Sequence, residues 1–150
     1  MDKSELEEHL RRQIPLSAAM EIAVREAAAN SIVLSAPLKP NINHMQTVFG
    51  GSAPALAILA AWSLVHVRLA DEGFKCAVVI QSNHMDYDRP IAGCFTAVSF
   101  LSDGSDWPNF MRTLRRRRLA RIEVQSVLRH EDAVAGRFTG RFVAFLENEE

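Results

Sequence analysis

Asn41, Asn43, His44 and Thr47 crowd one polar stretch, PNINHMQT, and Phe49-Gly50-Gly51-Ser52 follows almost at once. The chain then turns apolar, and from Ala53 to Val65 only Ser63 interrupts it. A Gly-Gly-Ser turn at the start of a buried helix is an anion site in principle. Its first N–H groups lack partners, and the helix dipole adds about half a positive charge. A carbonyl set against those amides would have its developing oxyanion stabilised, and losing one such donor typically costs about 3–4 kcal/mol of barrier. Gly50 and Gly51 would let a ligand approach the backbone closely. The plainer alternative is that the two glycines only make a tight loop-to-helix turn. His44 has a side chain whose ordinary pKa suits base work.

A second polar cluster, Ser82, His84 and Asp86, lies on the segment CAVVIQSNHMDY, which ends at Tyr87 and is followed by Asp88-Arg89-Pro90. Alternation places the three on one face of a strand, where successive same-face residues lie about 6.6 Å apart. Working triads bring their members together from separate elements. A polar stripe is therefore expected, with Asp86 or His84 able to reach a site across a subunit contact. Arg115–Arg118 is the one charge run. It reads as a solvated helix end, or as a contact for phosphate, which arginine recognises bidentately.

The elements that must position these residues follow from periodicity. Ser4 with Glu7 or Glu8 predicts a capped helix ending before Pro15, docked through Leu6 and Leu10. Met20–Ala28 and Ser31–Leu38 read as a hairpin. Ser52 is the expected N-cap of a long helix with Pro54 in its first turn and Gly73 as its stop. Cys76–Tyr87 starts apolar on both faces, as an interior strand does. Cys94–Leu101 is a strand, and Asp106 caps a short helix through Phe110 and Leu114. Leu119–Arg129 alternates, and Ala133–Leu146 pairs with it. Trp62, Phe138, Phe142 and Phe145 are expected in the core, and Cys76 and Cys94 as small apolar residues. One long helix and about six antiparallel strands predict an α+β hot-dog arrangement, a curved sheet around a central helix. Such a sheet has open edges, and joining two of them predicts a homodimer, with a tetramer as the larger option.

Composition sets the limits. With 150 residues, 48% hydrophobic and 23% charged, the chain has the size of one domain that needs no staple. A net charge of −1 gives no global pull toward nucleic acid or anionic membrane. The acidic, amphipathic start is unlike a signal peptide, the two cysteines lack metal spacing, and a cytoplasmic setting is expected. The apolar run in the long helix is too short and too interrupted for a membrane span.

IPLSAAM, APLKPNINHMQTVFGGS, ALAILAAW, MDYDRP, RLARI and GRFTGRFVAF, in that order from about Leu6 to Leu146, resemble the YiiD-type C-terminal thioesterase domain of the hot-dog superfamily. The resemblance implies an acyl thioester of coenzyme A or acyl carrier protein as substrate, with coenzyme A part of that substrate and no separate cofactor. It also adds coenzyme A phosphates or an acidic carrier as partners for Arg118 and its neighbours. Asn43, Gly50 and Gly51 match the asparagine and glycines of related His-Gly-Gly thioesterases, where the asparagine orients water or the thioester carbonyl. Phe49 stands in place of the histidine. The helix acid of those enzymes is replaced by Ile58 or Leu59, and no acid follows before Asp71. The expected catalytic set is Asn43, His44, Gly51, Ser52 and Asp86, with Asn41, Thr47, Phe49, Gly50, Tyr87, Arg89 and Arg118 around the substrate. The base is left open among the loop residues and the facing subunit. The main alternative to a hydrolase is a non-catalytic acyl-thioester or lipid-binding module that kept the groove and lost the base.

Overall fold

The computed structural model describes residues 1–148. Helix α1 (Lys3–Gln13) is capped two residues earlier than expected: Asp2 accepts from the Glu5 amide, and the Glu5 carboxylate accepts from the Asp2 amide. Glu7 is thereby freed, and it accepts the Val24 N–H at 2.8 Å, fastening α1 to the sheet. Pro15 does not merely stop α1. It opens a short helix α2 (Pro15–Ala19) that the sequence reading missed, because proline suits a first helical position as well as a break.

Strands β1 (Ala23–Ala28) and β2 (Ser31–Ala36) form the predicted hairpin, but each is shorter than read. Glu21, at φ 57°, turns the chain before β1 can start. A single 3-10 turn (Lys39–Asn41) leads toward the long helix α3 (Ser52–Asp71). Then come β3 (Cys76–Tyr87), β4 (Phe95–Leu101), α4 (Trp107–Arg117, capped by Asp106), β5 (Leu119–His130) and β6 (Ala133–Leu146). All neighbouring strands are antiparallel, in the order β1-β2-β4-β5-β6-β3.

Helix α3 lies on one face of this six-stranded sheet, the hot-dog arrangement. Leu56, Ala57, Ala60, Ala61, Leu64 and Val65 are fully buried. Its alanines let the sheet come close enough for two buried serines to bond the helix backbone. Ser99 of β4 donates to the Ala60 carbonyl and Ser126 of β5 to the Ala57 carbonyl, each at 2.8 Å. By length and composition α3 could cross a membrane, yet eleven of its 20 residues are buried within the protein. Phe138 and Phe142 are core as expected, whereas Phe145 falls on the outer sheet face and stays exposed.

Strand β3 corrects the interior reading, since among the described residues it is an edge strand bonded only to β6. Val78 and Ile80 face the helix, while Val79 on the other face is 48% exposed. A β-bulge between Ile80 and Ser82 then shifts the alternation by one residue. Past the bulge Asn83, Met85 and Tyr87 lie on the helix side, opposite Gly140, Phe138 and Gly136. Ser82, His84 and Asp86 lie on the outer face, opposite Arg141, Thr139 and Arg137.

Candidate functional site

The amino end of α3 is built differently from the expected cap. Gly51, at φ −79° and ψ −28°, occupies the N-cap position, and Ser52 is the first helical residue with no side-chain cap. The Phe49 carbonyl accepts from the Ser52 N–H at 2.9 Å and, more loosely, from the Ala53 N–H at 3.4 Å. Pro54 has no N–H to offer. Among the described residues the Gly50 and Gly51 amides donate no hydrogen bond, so the free donors of this helix end precede Ser52 rather than include it. The Tyr87 hydroxyl donates to the Gly50 carbonyl at 2.6 Å. Space beside Gly50 is open, whereas a β-carbon on Gly51 would meet the ring of Phe49.

The preceding loop is a tight hairpin closed by the Ile42–Val48 bridge and the Asn43 N–H to Thr47 carbonyl bond. The Asn43 side chain is spent on this hairpin. Its carboxamide oxygen accepts from the Met45 and Thr47 amides, and its nitrogen donates to the Thr47 hydroxyl at 2.9 Å. Asn41 is buried and donates to the Met20 and Pro37 carbonyls, while its own carbonyl accepts the Phe49 N–H. It therefore anchors the loop from inside, with no face left for a substrate. His44 and Met45 sit exposed at the hairpin tip, and Ile42, Met45, Phe49 and Tyr87 leave apolar surface open around the turn.

A half-open cavity of about 350 Å³ lies beside this helix end. Val48 and Ala53, which flank the turn, line it together with Met85, Tyr87, Arg89 and Ile91. Asp88 also reaches its wall but is held by Arg137 through two bonds of 2.9 and 3.0 Å, and that partner keeps its carboxyl below the ordinary range. Met85 and Ile91 were not among the expected site residues. Only the bulge brings Met85 inward, and no residue type announces a bulge.

Several expected partners lie elsewhere. His84 and Asp86 do meet, with Nε2 3.0 Å from Oδ1, because the imidazole spans the gap that backbone spacing leaves. They do so on the outer sheet face, away from the Gly50–Gly51 turn. Arg118 caps α4 in a left-handed conformation (φ 62°) and donates to the Glu147 carbonyl. It lines a separate cavity with Gly73 and Lys75 at the carboxyl end of α3, about 30 Å along the helix from Gly51. Leu59 is core and Ile58 half-buried, so the helix offers no carboxylate here. Among the described residues no cluster of His, Cys, Asp and Glu could hold a metal.

One half-buried group went unnoticed in the sequence. His9, His66 and Trp62 stack between α1 and α3, with ring centroids 4.6 and 4.7 Å apart on either side of His66. His66 Nε2 is buried without a partner among the described residues, and burial followed by the nearby His9 pushes its pKa down to about 4.

The family model described as "Putative thioesterase (yiiD_Cterm)" matches residues 3–146. The chain belongs to the yiiD_Cterm family. Solved structures repeat its architecture. A protein of unknown function from Chlorobaculum tepidum is similar at a TM-score of 0.90 and 26% identity, over 97% of this chain and 94% of that one. A "putative thioesterase" from Shewanella oneidensis is similar at 0.86 and 24%, over 95% and 96%. A thioesterase from Haemophilus influenzae reaches 0.79 at 15%, over 100% and 94%. Membership in the yiiD_Cterm family supports a thioesterase-type function and a thioester as the class of substrate.

Proposed function

We propose that this chain hydrolyses an acyl thioester of coenzyme A or acyl carrier protein at the amino end of α3. The observation that carries the reading is the pair of unbonded Gly50 and Gly51 amides beside an open, largely apolar cavity. The thioester carbonyl lies against these amides at the rim of the cavity, where they stabilise the charge that develops on its oxygen when water attacks. About 350 Å³ is room for a small acyl group. His44, at the tip of the neighbouring hairpin, is the proposed proton acceptor. Asn43 and Thr47 hold the hairpin that carries it.

The unpaired outer edge of β3, twelve residues long, supports a homodimer. Two-fold pairing of β3 edges would extend the sheet and bring the partner alongside the groove. Sedimentation velocity at micromolar concentration checks it, with a two-chain mass expected.

Hydrolysis of a panel of acyl-CoA thioesters of increasing chain length, followed by thiol release, tests the activity. Turnover well above background with at least one short acyl chain is expected, and none at high enzyme concentration would overturn the reading. Ile58 and Leu59 favour the second reading, an acyl-thioester-binding module without catalysis, because they leave the helix without an acid. Stabilisation by acyl-CoA in a thermal shift, with no thiol released, would select it.

A further inference from the structure

We propose that Tyr87 is a positioning residue, whose hydroxyl holds the Gly50–Gly51 peptide so that the Gly51 N–H projects as a free donor. The consequence for turnover rests on the thioesterase reading; the geometry does not. A peptide between two glycines is soft, since neither residue has a β-carbon to restrict it. Left alone, this one would sample orientations that scatter its N–H. The Tyr87 hydroxyl reaches across 37 residues to the Gly50 carbonyl at 2.6 Å, at the short end for a neutral O–H···O bond. The peptide is trans and planar, so fixing the carbonyl toward Tyr87 fixes the Gly51 N–H in the opposite direction.

Three further features point the same way. The bulge between Ile80 and Ser82 is what turns Tyr87 to the helix side, because uninterrupted alternation would put Asp86 there instead. The Val48 N–H bonds the Ile91 carbonyl at 2.8 Å, so the chain on either side of the contact is registered independently of Tyr87. Tyr87 is 59% exposed, and water could satisfy its hydroxyl, so burial does not force the bond.

Tyr87→Phe keeps the ring and deletes the hydroxyl. Carbonyl-carbon NMR should show the Gly50 resonance moving upfield as its hydrogen bond is lost. Turnover should show kcat reduced about tenfold or more with KM within about twofold, because the donor acts in the transition state. The melting temperature should stay within about 2 °C of wild type. An unmoved Gly50 resonance overturns the proposal whatever the activity, and so does an unchanged kcat beside a moved resonance. If the wild-type chain hydrolyses no acyl-CoA, the hydrolase reading fails and the Gly51 amide decides the positioning. A non-hydrolysable ketone analogue of acetyl-CoA should then shift the Gly51 amide proton in wild type and shift it less in Tyr87→Phe. Equal shifts in both, or none in either, overturn the proposal.

Discussion

The two ends of α3 solve the same problem in opposite ways. At the carboxyl end Gly73, at φ 79°, turns the chain, and the Gly73 and Phe74 amides bond back to the Ala70 and Leu69 carbonyls. Arg68 lies 4.4 Å from the centre of the Trp107 ring, and the indole N–H of Trp107 bonds Glu72 at 3.2 Å. At the amino end Ser52 caps nothing, two glycine amides are left unbonded, and Phe49 and Tyr87 stay exposed. A helix stabilised only for folding would close both ends. Leaving one open gives up roughly 1 kcal/mol of capping energy, a sacrifice expected where a ligand supplies the missing acceptor.

Substitutions at the two ends should separate activity from stability. Gly51→Pro removes one free amide at a φ that proline accepts, while its β-carbon turns the exposed Phe49 ring further into solvent. Turnover of the best acyl-CoA should fall about 10²- to 10³-fold, with a melting temperature close to wild type. A fall of less than about threefold would mean that this amide is idle. Trp107→Ala at the other end should cost about 3 kcal/mol of stability, or roughly 6–12 °C in melting temperature, with kcat per folded molecule unchanged. A specific loss of kcat there would erase the distinction between the ends.

In the carboxyl-terminal half of the helix, His66 links stability to pH. Its pKa is lowered to about 4 in the fold against 6.5 when free, so the unfolded chain takes up the proton first as pH falls. Stability is therefore complete above about pH 6.5 and declines from there toward pH 4. Solvent screening at this half-buried ring limits the loss to about 1–2 kcal/mol. His66→Phe keeps the stack and cannot titrate, so its melting temperature should vary less between pH 7 and 5 than that of wild type. Equal slopes would show that His66 does not titrate in this window.

An effect of similar size is expected at the hairpin. Asn43→Ala loses every side-chain bond that ties Met45 and Thr47, and should cost about 1–2 kcal/mol in chemical denaturation. Asn43→Asp keeps an acceptor for the Met45 and Thr47 amides and should recover about half of it. A large kinetic defect in both, with stability untouched, would return Asn43 to the reacting centre and shift weight from the glycines to the loop.

Much of this frame can be read from residue order alone. Apolar density marks α3, proline and glycine mark its limits, and alternation marks β5 and β6. Strand β3 shows why the rest cannot. Its first half is apolar on both faces although Val79 lies exposed on the outer one, so the pattern looks interior. The bulge after Ile80 needs no particular residue, yet it decides that Tyr87 and Met85 face the helix while His84 and Asp86 face away. Asn41 and Asn43 look alike in sequence, and only their partners separate an internal anchor from a hairpin brace. The Tyr87–Gly50 bond joins positions that no local pattern connects.

A crystal structure with the non-hydrolysable ketone analogue of acetyl-CoA bound tests the central claim most directly. The ketone oxygen is expected about 2.7–3.1 Å from the Gly51 nitrogen, at the distance of an oxyanion donor, with its acyl end in the cavity beside Met85 and Ile91. An analogue seated instead at the Lys75–Arg118 end of α3, or lying beside the glycines with its oxygen turned from both amides, would contradict the account.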